Sequence, residues 1–299
     1  FLTAPAPTKF ATLSLHDALP VFFCPSINLN AVQPLSKERC MPRIEERKHR
    51  IAARFGAAES YEAAAKIQRV CADQLAERIC SAFQTPPRSI LEFGCGTGFL
   101  TTRLATHFPT AHLCATDLAP GMIERIRARL PDVASEFRVM DAENPDRDFT
   151  TPFDLIASSL CLQWFSNRQK GLERLCSLLA PGGKLMVATL LQGSLQEWRD
   201  ACAVERAPCG VPDYPTLDQI RGEWPTDGIG FWESVPLVDP VAKASGFLRG
   251  MRQIGASLPR EGSRPASAAA LRRAMRRFDA ENDSVTYQIG FGLFERNHA

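Results

Sequence analysis

The chain has 299 residues, enough for one large core or two small ones. It is 45% hydrophobic and 23% charged, with a formal net charge of +2. That balance suits a globular protein, is too weak to imply nucleic acid, and leaves no run of about 18 apolar residues to span a membrane. The ten cysteines form no C-x-x-C pair and no Cys/His cluster at zinc spacing, so free thiols in a reducing cytoplasm are expected, with no metal.

Residues 1–40 read differently from the rest. Pro5, Pro7, Pro20, Pro25 and Pro34 interrupt any periodic pattern, and no basic segment precedes a clean apolar one. They are expected to be an irregular leader outside the functional domain, which would run from Met41 to 299 as a single unit. A helix is predicted from about Ile44. Another runs from Ser60 to Phe83, where Ile67, Val70, Cys71, Leu75 and Ile79 recur at three and four residues, with Ser60 as the N-cap.

Strands and helices then alternate. Strands are predicted at Ser89–Phe93, Ala111–Thr116, Phe137–Met140, Phe153–Ser158 and Lys184–Leu190. Helices are predicted at Thr97–His107, Pro120–Leu130 and Gln169–Leu179, and a turn at Pro181-Gly182-Gly183. Such alternation specifies an α/β fold with a doubly wound, mostly parallel, Rossmann-like sheet. From Ser194 onward the pattern is helical, at Ser194–Glu205, Thr216–Trp224, Val241–Gln253 and Ala266–Phe278. Val285, Tyr287, Ile289, Phe291 and Leu293 alternate, so a terminal strand is expected to join the sheet edge antiparallel after this helical insert. The segments 41–83 and 194–282 would then cap the substrate side.

Glu92-Phe93-Gly94-Cys95-Gly96-Thr97-Gly98 lies where the first strand enters the first helix of that alternation. Glycines there permit a tight turn and close approach of a ligand to the backbone. The spacing is G-x-G-x-G, one residue short of the dinucleotide fingerprint, and it lacks the Lys-Ser/Thr ending of a triphosphate loop. Asp117 ends the second strand, where a carboxylate can accept both ribose hydroxyls, or can cap the helix that starts at Pro120. Asp141-Ala142-Glu143 follows the third strand, and Ser158 to Trp164 leaves the fourth. All sit at carboxyl ends of parallel strands, where open α/β sheets bind ligands.

These motifs resemble those of the class I S-adenosylmethionine methyltransferases. The resemblance implies S-adenosylmethionine as cofactor, held by Glu92, Gly94, Cys95, Gly96, Gly98, Asp117, Leu118, Met122, Asp141, Ala142 and Ser158. Gly94 to Gly98 would hold the methionine end and Asp141 the adenine amine. Segments outside these motifs are similar to the malonyl-acyl-carrier-protein O-methyltransferases of biotin synthesis. They are Arg50 to Phe55 with Ser60 to Gln68, Leu162-Gln163-Trp164, Ala188 to Leu190 with Gly193 to Trp198, Leu248 to Ala256, and Thr286 to Gly292.

This likeness implies methylation of the free carboxylate of a malonyl thioester on acyl carrier protein. A carboxylate with a pKa of about 4 is already ionised and needs no general base. Tyr61, Gln163 and Trp164 are the candidates for the wall around the reacting methyl, and ordinary core packing would also account for Tyr61 and Trp164. Arg249 and Arg252 are candidates to pair with the malonyl carboxylate, and equally suit a solvated helix face. Arg272, Arg273, Arg276 and Arg277 form a basic stripe that could steer an acidic carrier protein, or simply face water. The cofactor motifs alone would equally fit a methyltransferase of a small free acid or a quinone ring, or a protein that binds the cofactor without turnover. The glycine spacing disfavours a nicotinamide-dependent oxidoreductase.

Overall fold

The apolar runs between residues 89 and 190 pair as strands of one sheet in the computed structural model, which describes residues 37–56, 65–134, 136–146, 148–253 and 267–298. β1 (Ser89–Phe93), β2 (His112–Asp117), β3 (Glu136–Val139), β4 (Phe153–Ser159) and β5 (Leu179–Leu190) are mutually parallel. β6 (Gly228–Pro240) and β7 (Ser284–Arg296) complete the order β3-β2-β1-β4-β5-β7-β6, with β7 antiparallel to both neighbours. The order reverses between β1 and β4, and that switch point opens a crevice at the carboxyl ends of the strands.

The helices are α1 (Lys37–Gly56), α2 (Lys66–Ala82), α3 (Phe99–His107), α4 (Pro120–Arg129), α5 (Arg168–Ser177), α6 (Gln196–Val204), α7 (Leu217–Arg221), α8 (Ala244–Gln253) and α9 (Ala268–Glu281). Among the described residues, no helix is long and apolar enough to cross a membrane. The start of the predicted 60–83 helix, including Ser60 and Tyr61, lies outside the described residues.

Three elements differ from the sequence reading. Pro181-Gly182-Gly183 is not a turn between elements but a bulge inside β5, where pairing with β4 jumps from Phe153↔Leu179 to Leu155↔Lys184. The helix predicted over 216–224 shortens to α7, capped by Thr216, and the chain then forms a 13-residue strand, β6, that the sequence did not suggest. Two glycines and two prolines obscure its alternation. Pro236 and Pro240 are tolerated because β6 has β7 on one side only, so a missing N–H can face outward. As a result β7 lies one place in from the sheet edge rather than at it.

The segments 193–198 and 286–288 pack against each other. The Thr286 N–H and hydroxyl donate to Glu197 at 3.1 and 2.6 Å, and Leu195 N donates to the Thr286 carbonyl at 2.7 Å. Trp198, 1% exposed, packs beside Phe247 of α8 and Phe278 of α9 and donates its indole N–H to the Cys209 carbonyl at 2.9 Å. α6, α8 and α9 thereby form one layer beside β7.

Candidate functional site

Glycine conformation shapes the loop after β1. Gly94, Gly96 and Gly98 all have positive φ, and Gly98 is the N-cap of α3. Cys95 N donates to the Thr116 carbonyl at 2.9 Å, and Gly96 N donates to Asp117 Oδ2 at 3.0 Å. Asp117 also accepts from Ala119 N at 2.8 Å, so one carboxylate ties the glycine loop to the turn after β2. Burial raises the Asp117 pKa, opposed by the backbone N–H groups of Ala119, Gly96 and Leu118.

Glu92 lies beneath this loop, 1% exposed, and its Oε2 has no hydrogen-bond partner among the described residues. Burial, with the Asp117 charge, pushes its pKa up to about 8 against the pull of neighbouring Thr101. A buried, unpartnered carboxylate fits a cationic amino group held in the glycine loop. The sign for stability follows. The native state keeps this proton up to about pH 8, while an unfolded glutamate releases it near its ordinary value of 4.5. The native state is thus favoured below the lower value and loses stability as pH rises through the window. Without ligand, Glu92→Gln should therefore melt with a flatter decline than wild type between about pH 5 and 8 in scanning calorimetry. Parallel declines would contradict it.

Gly94, Gly96, Asp117, Leu118, Met122, Asp141, Ala142 and Trp164 line one pocket. The other sequence candidates lie around it. Cys95 turns away into a small cluster with Ala115, Ile123 and Ile126. Ser158 is fully buried, and its neighbour Ser159 lines the pocket instead. Gln163 stands behind the wall. Its Nε2 donates to the Leu160 carbonyl at 2.7 Å and its Oε1 accepts from the Thr189 hydroxyl at 3.2 Å. Leu160 has φ +55 and lines the pocket, so Gln163 braces a left-handed turn at the end of β4. Tyr61 lies outside the described residues.

Arg249 and Arg252 are exposed on α8, away from the pocket. On α9, Arg273 and Arg277 pair with Glu205 at 3.0 and 3.7 Å, while Arg272 and Arg276 are exposed. Among the described residues, no group of three or more His, Cys, Asp or Glu could hold a metal.

Residues 41–83 were expected to cap the substrate side, but none of the α1 residues that line the pocket was named as a site residue. α1 lays Lys48, Ile51 and Phe55, spaced three and four apart, over the pocket. Lys48 Nζ lies 2.7 Å from both Asp141 Oδ2 and Glu143 Oε2. Burial lowers its pKa, but the hydrogen bonds and charges of the two carboxylates outweigh burial and leave it raised. Arg47 donates to the Trp164 carbonyl at 3.0 Å, and Phe55 meets the Trp164 ring edge-on at 5.4 Å. A lysine on the apolar stripe of a helix was the one available signal, and its partners are 93 and 95 residues away. Under this roof the pocket leaves about 100 Å³ of open space, below the roughly 300–1,000 Å³ usual for ligand clefts.

Comparison with known proteins matches residues 91–185 to the family described as "Methyltransferase domain". The chain is similar to the YcgJ protein of Bacillus subtilis (TM-score 0.54, 14% identity, 76% of this chain and 100% of that one). It is also similar to the plantazolicin methyltransferase BamL, solved with SAH (TM-score 0.53, 15% identity, 88% and 100%). At these identities the likeness carries the fold alone, and that fold is the one expected from the alternation of strands and helices. Sequence relatives go further. The chain is 39% identical over 258 residues to a malonyl-[acyl-carrier protein] O-methyltransferase of Magnetococcus marinus, covering 84% of this chain and 94% of the relative. It is 42% identical over 249 residues to the biotin biosynthesis bifunctional protein BioCD of Bordetella avium, covering 82% of this chain and 52% of that longer protein. The expected resemblance therefore holds, and the chain belongs to the malonyl-[acyl-carrier protein] O-methyltransferase family.

Proposed function

We propose that the protein methylates the free carboxylate of a malonyl thioester carried on acyl carrier protein, using S-adenosylmethionine, and so supplies a masked starter for the pimeloyl chain of biotin. The observation that carries this reading is the 39% identity running through 94% of a malonyl-[acyl-carrier protein] O-methyltransferase. The arrangement around the glycine loop supports it.

When bound, the cofactor supplies an electrophilic methyl group on a sulfonium. The chain's own residues hold and orient. Glu92 faces the cationic amino group from below the loop, and Asp117 accepts from the ribose hydroxyls with the lone pairs its backbone donors leave unused. Asp141 accepts from the adenine amine. Trp164 and Phe55 offer aromatic surface to the sulfonium, worth about 0.5–2 kcal/mol in cation–π attraction. Gln163 acts as a positioning residue, fixing the Leu160 turn. Tyr61 keeps its candidate role at the reacting carboxylate. An ionised carboxylate needs no base, so alignment of oxygen, methyl and sulfur supplies the catalysis.

Arg272 and Arg276, together with Arg249 and Arg252 on α8, present exposed cations to an acidic carrier. A cytoplasmic location belongs to the same reading, because the scattered cysteines, without zinc or disulfide-framework spacing, suit a reducing compartment. The test is incubation of the protein with labelled S-adenosylmethionine and malonyl-acyl carrier protein. Mass spectrometry of the carrier should show the gain of one methyl group. No gain on the carrier, with methylation of a free dicarboxylic acid, would replace this substrate.

A further inference from the structure

A groove of about 460 Å³ runs along α6, within the size range of ligand clefts. One wall is the stripe Gln196, Arg199, Asp200 and Ala203, spaced three, four and seven along one helix face and so about 10 Å long. The opposite wall is the chain from Ala207 to Tyr214, and Cys202 and Ala207 give it an apolar floor. Arg199 is fixed in the wall by the Pro212 carbonyl and by Asp213 at 3.7 Å.

The two ends of the groove lead to different places. The inner end is Gln192-Gly193, immediately beyond β5, at the same end of the sheet as the cofactor pocket. There Thr189 of β5 hydrogen-bonds Gln163, the brace of the pocket wall. The outer end, at Ala203 and Ala207, flanks Glu205, which Arg273 and Arg277 of α9 hold. Arg272 and Arg276 are exposed on that same helix.

We infer that the α6 groove seats the phosphopantetheine arm of the carrier-bound substrate, thioester inward. This deepens the proposed function and rests on it. The arm carries two amides and a dimethyl carbon between a thioester and a phosphodiester. Gln196 Nε2 donates to Asp200 Oδ1 at 2.7 Å, and the oxygens of that pair together with the Gln192 amide match the arm's amide donors and acceptors. Ala203, Ala207 and Cys202 match its methyl groups. Polarity sets the direction, because the anionic phosphodiester belongs at the arginine end and the neutral thioester at the β5 end.

The test fills the groove at Ala203, which is exposed in the last turn of α6, so a larger side chain displaces no core atom. Ala203→Trp should raise KM for malonyl-acyl carrier protein by about tenfold or more. S-adenosylhomocysteine affinity and melting temperature should stay near wild type, and Val204→Trp, exposed on the same helix but outside the groove, should behave as wild type. A second measurement is independent of turnover. Wild type should bind holo-acyl carrier protein more tightly than the apo-carrier without its arm, and Ala203→Trp should lose that preference. Unchanged KM and an unchanged preference in Ala203→Trp would overturn the groove assignment even if the carrier is methylated. A preference for the armed carrier that Ala203→Trp removes, in a protein that methylates no carrier, would keep the groove and sink the proposed reaction. Equal binding of both carriers by wild type, with no methylation, would sink both.

Discussion

Gly94→Ala is expected to lower S-adenosylhomocysteine affinity at least about tenfold and to cost the fold about 2–4 kcal/mol. Two effects add. Gly94 has φ +66, a left-handed conformation that disfavours any side chain by about 1–2 kcal/mol. A Cβ there would also stand 2.6 Å from both Cβ and Sγ of Cys161. The Cys161 Cβ is fixed to the backbone, so the strain is relieved only by moving the glycine loop or the turn after β4. Both are walls of the cofactor pocket, so relief and binding oppose each other. Gly246→Ala is the control. Its Cβ would meet nothing within 4 Å, and the residue lies in α8. Alanine there should leave binding unchanged and add up to about 1 kcal/mol of stability. Calorimetric titration and thermal melts read both. Wild-type affinity in Gly94→Ala would remove the loop from the binding site.

Trp232→Ala should be the most destabilising single change, by about 3–5 kcal/mol, with a fall in melting temperature on the order of 10 °C. Trp232 is 1% exposed on β6 and pairs in register with Gly292 of β7. Its ring lies directly over that glycine, where an added Cβ would approach within 2.6 Å of the ring. Trp224 stacks on it at 5.0 Å, and Phe294 stacks on Trp224 at 5.5 Å. This pile holds α7 and the edge strand to the sheet, so an alanine leaves a cavity on a strand supported from one side only. A melting temperature within a few degrees of wild type would mean that β6 is not integral to the cooperative unit.

What could be read beforehand divides along physical lines. The glycine loop, Asp117 and Asp141 were legible because each sits within a few residues of a strand end, and strand ends at a switch point gather ligand contacts whatever the rest of the chain does. β6 was not legible because GIGFWESVPLVDP carries glycines and prolines that only its edge position makes acceptable. Gln163 was expected in the wall around the reacting methyl, but it stands behind that wall, hydrogen-bonded to the left-handed Leu160, which no spacing reveals. Arg249 and Arg252 suited either a substrate carboxylate or a solvated helix face, and both are exposed on α8, outside the lining of the pocket. The contacts of the roof escaped because Lys48, Asp141 and Glu143 are joined by tertiary packing, not by sequence proximity.

That roof bears on how ligands enter. Lys48, Ile51 and Phe55 of α1 lie over the pocket, with about 100 Å³ of open space beneath them. A cofactor entering beneath α1 would meet the contacts of Lys48 with Asp141 and Glu143, and those of Arg47 with Trp164. The carrier's arm, in the α6 groove, would arrive by a separate mouth. Nucleoside exchange and acyl delivery would then have separate entrances.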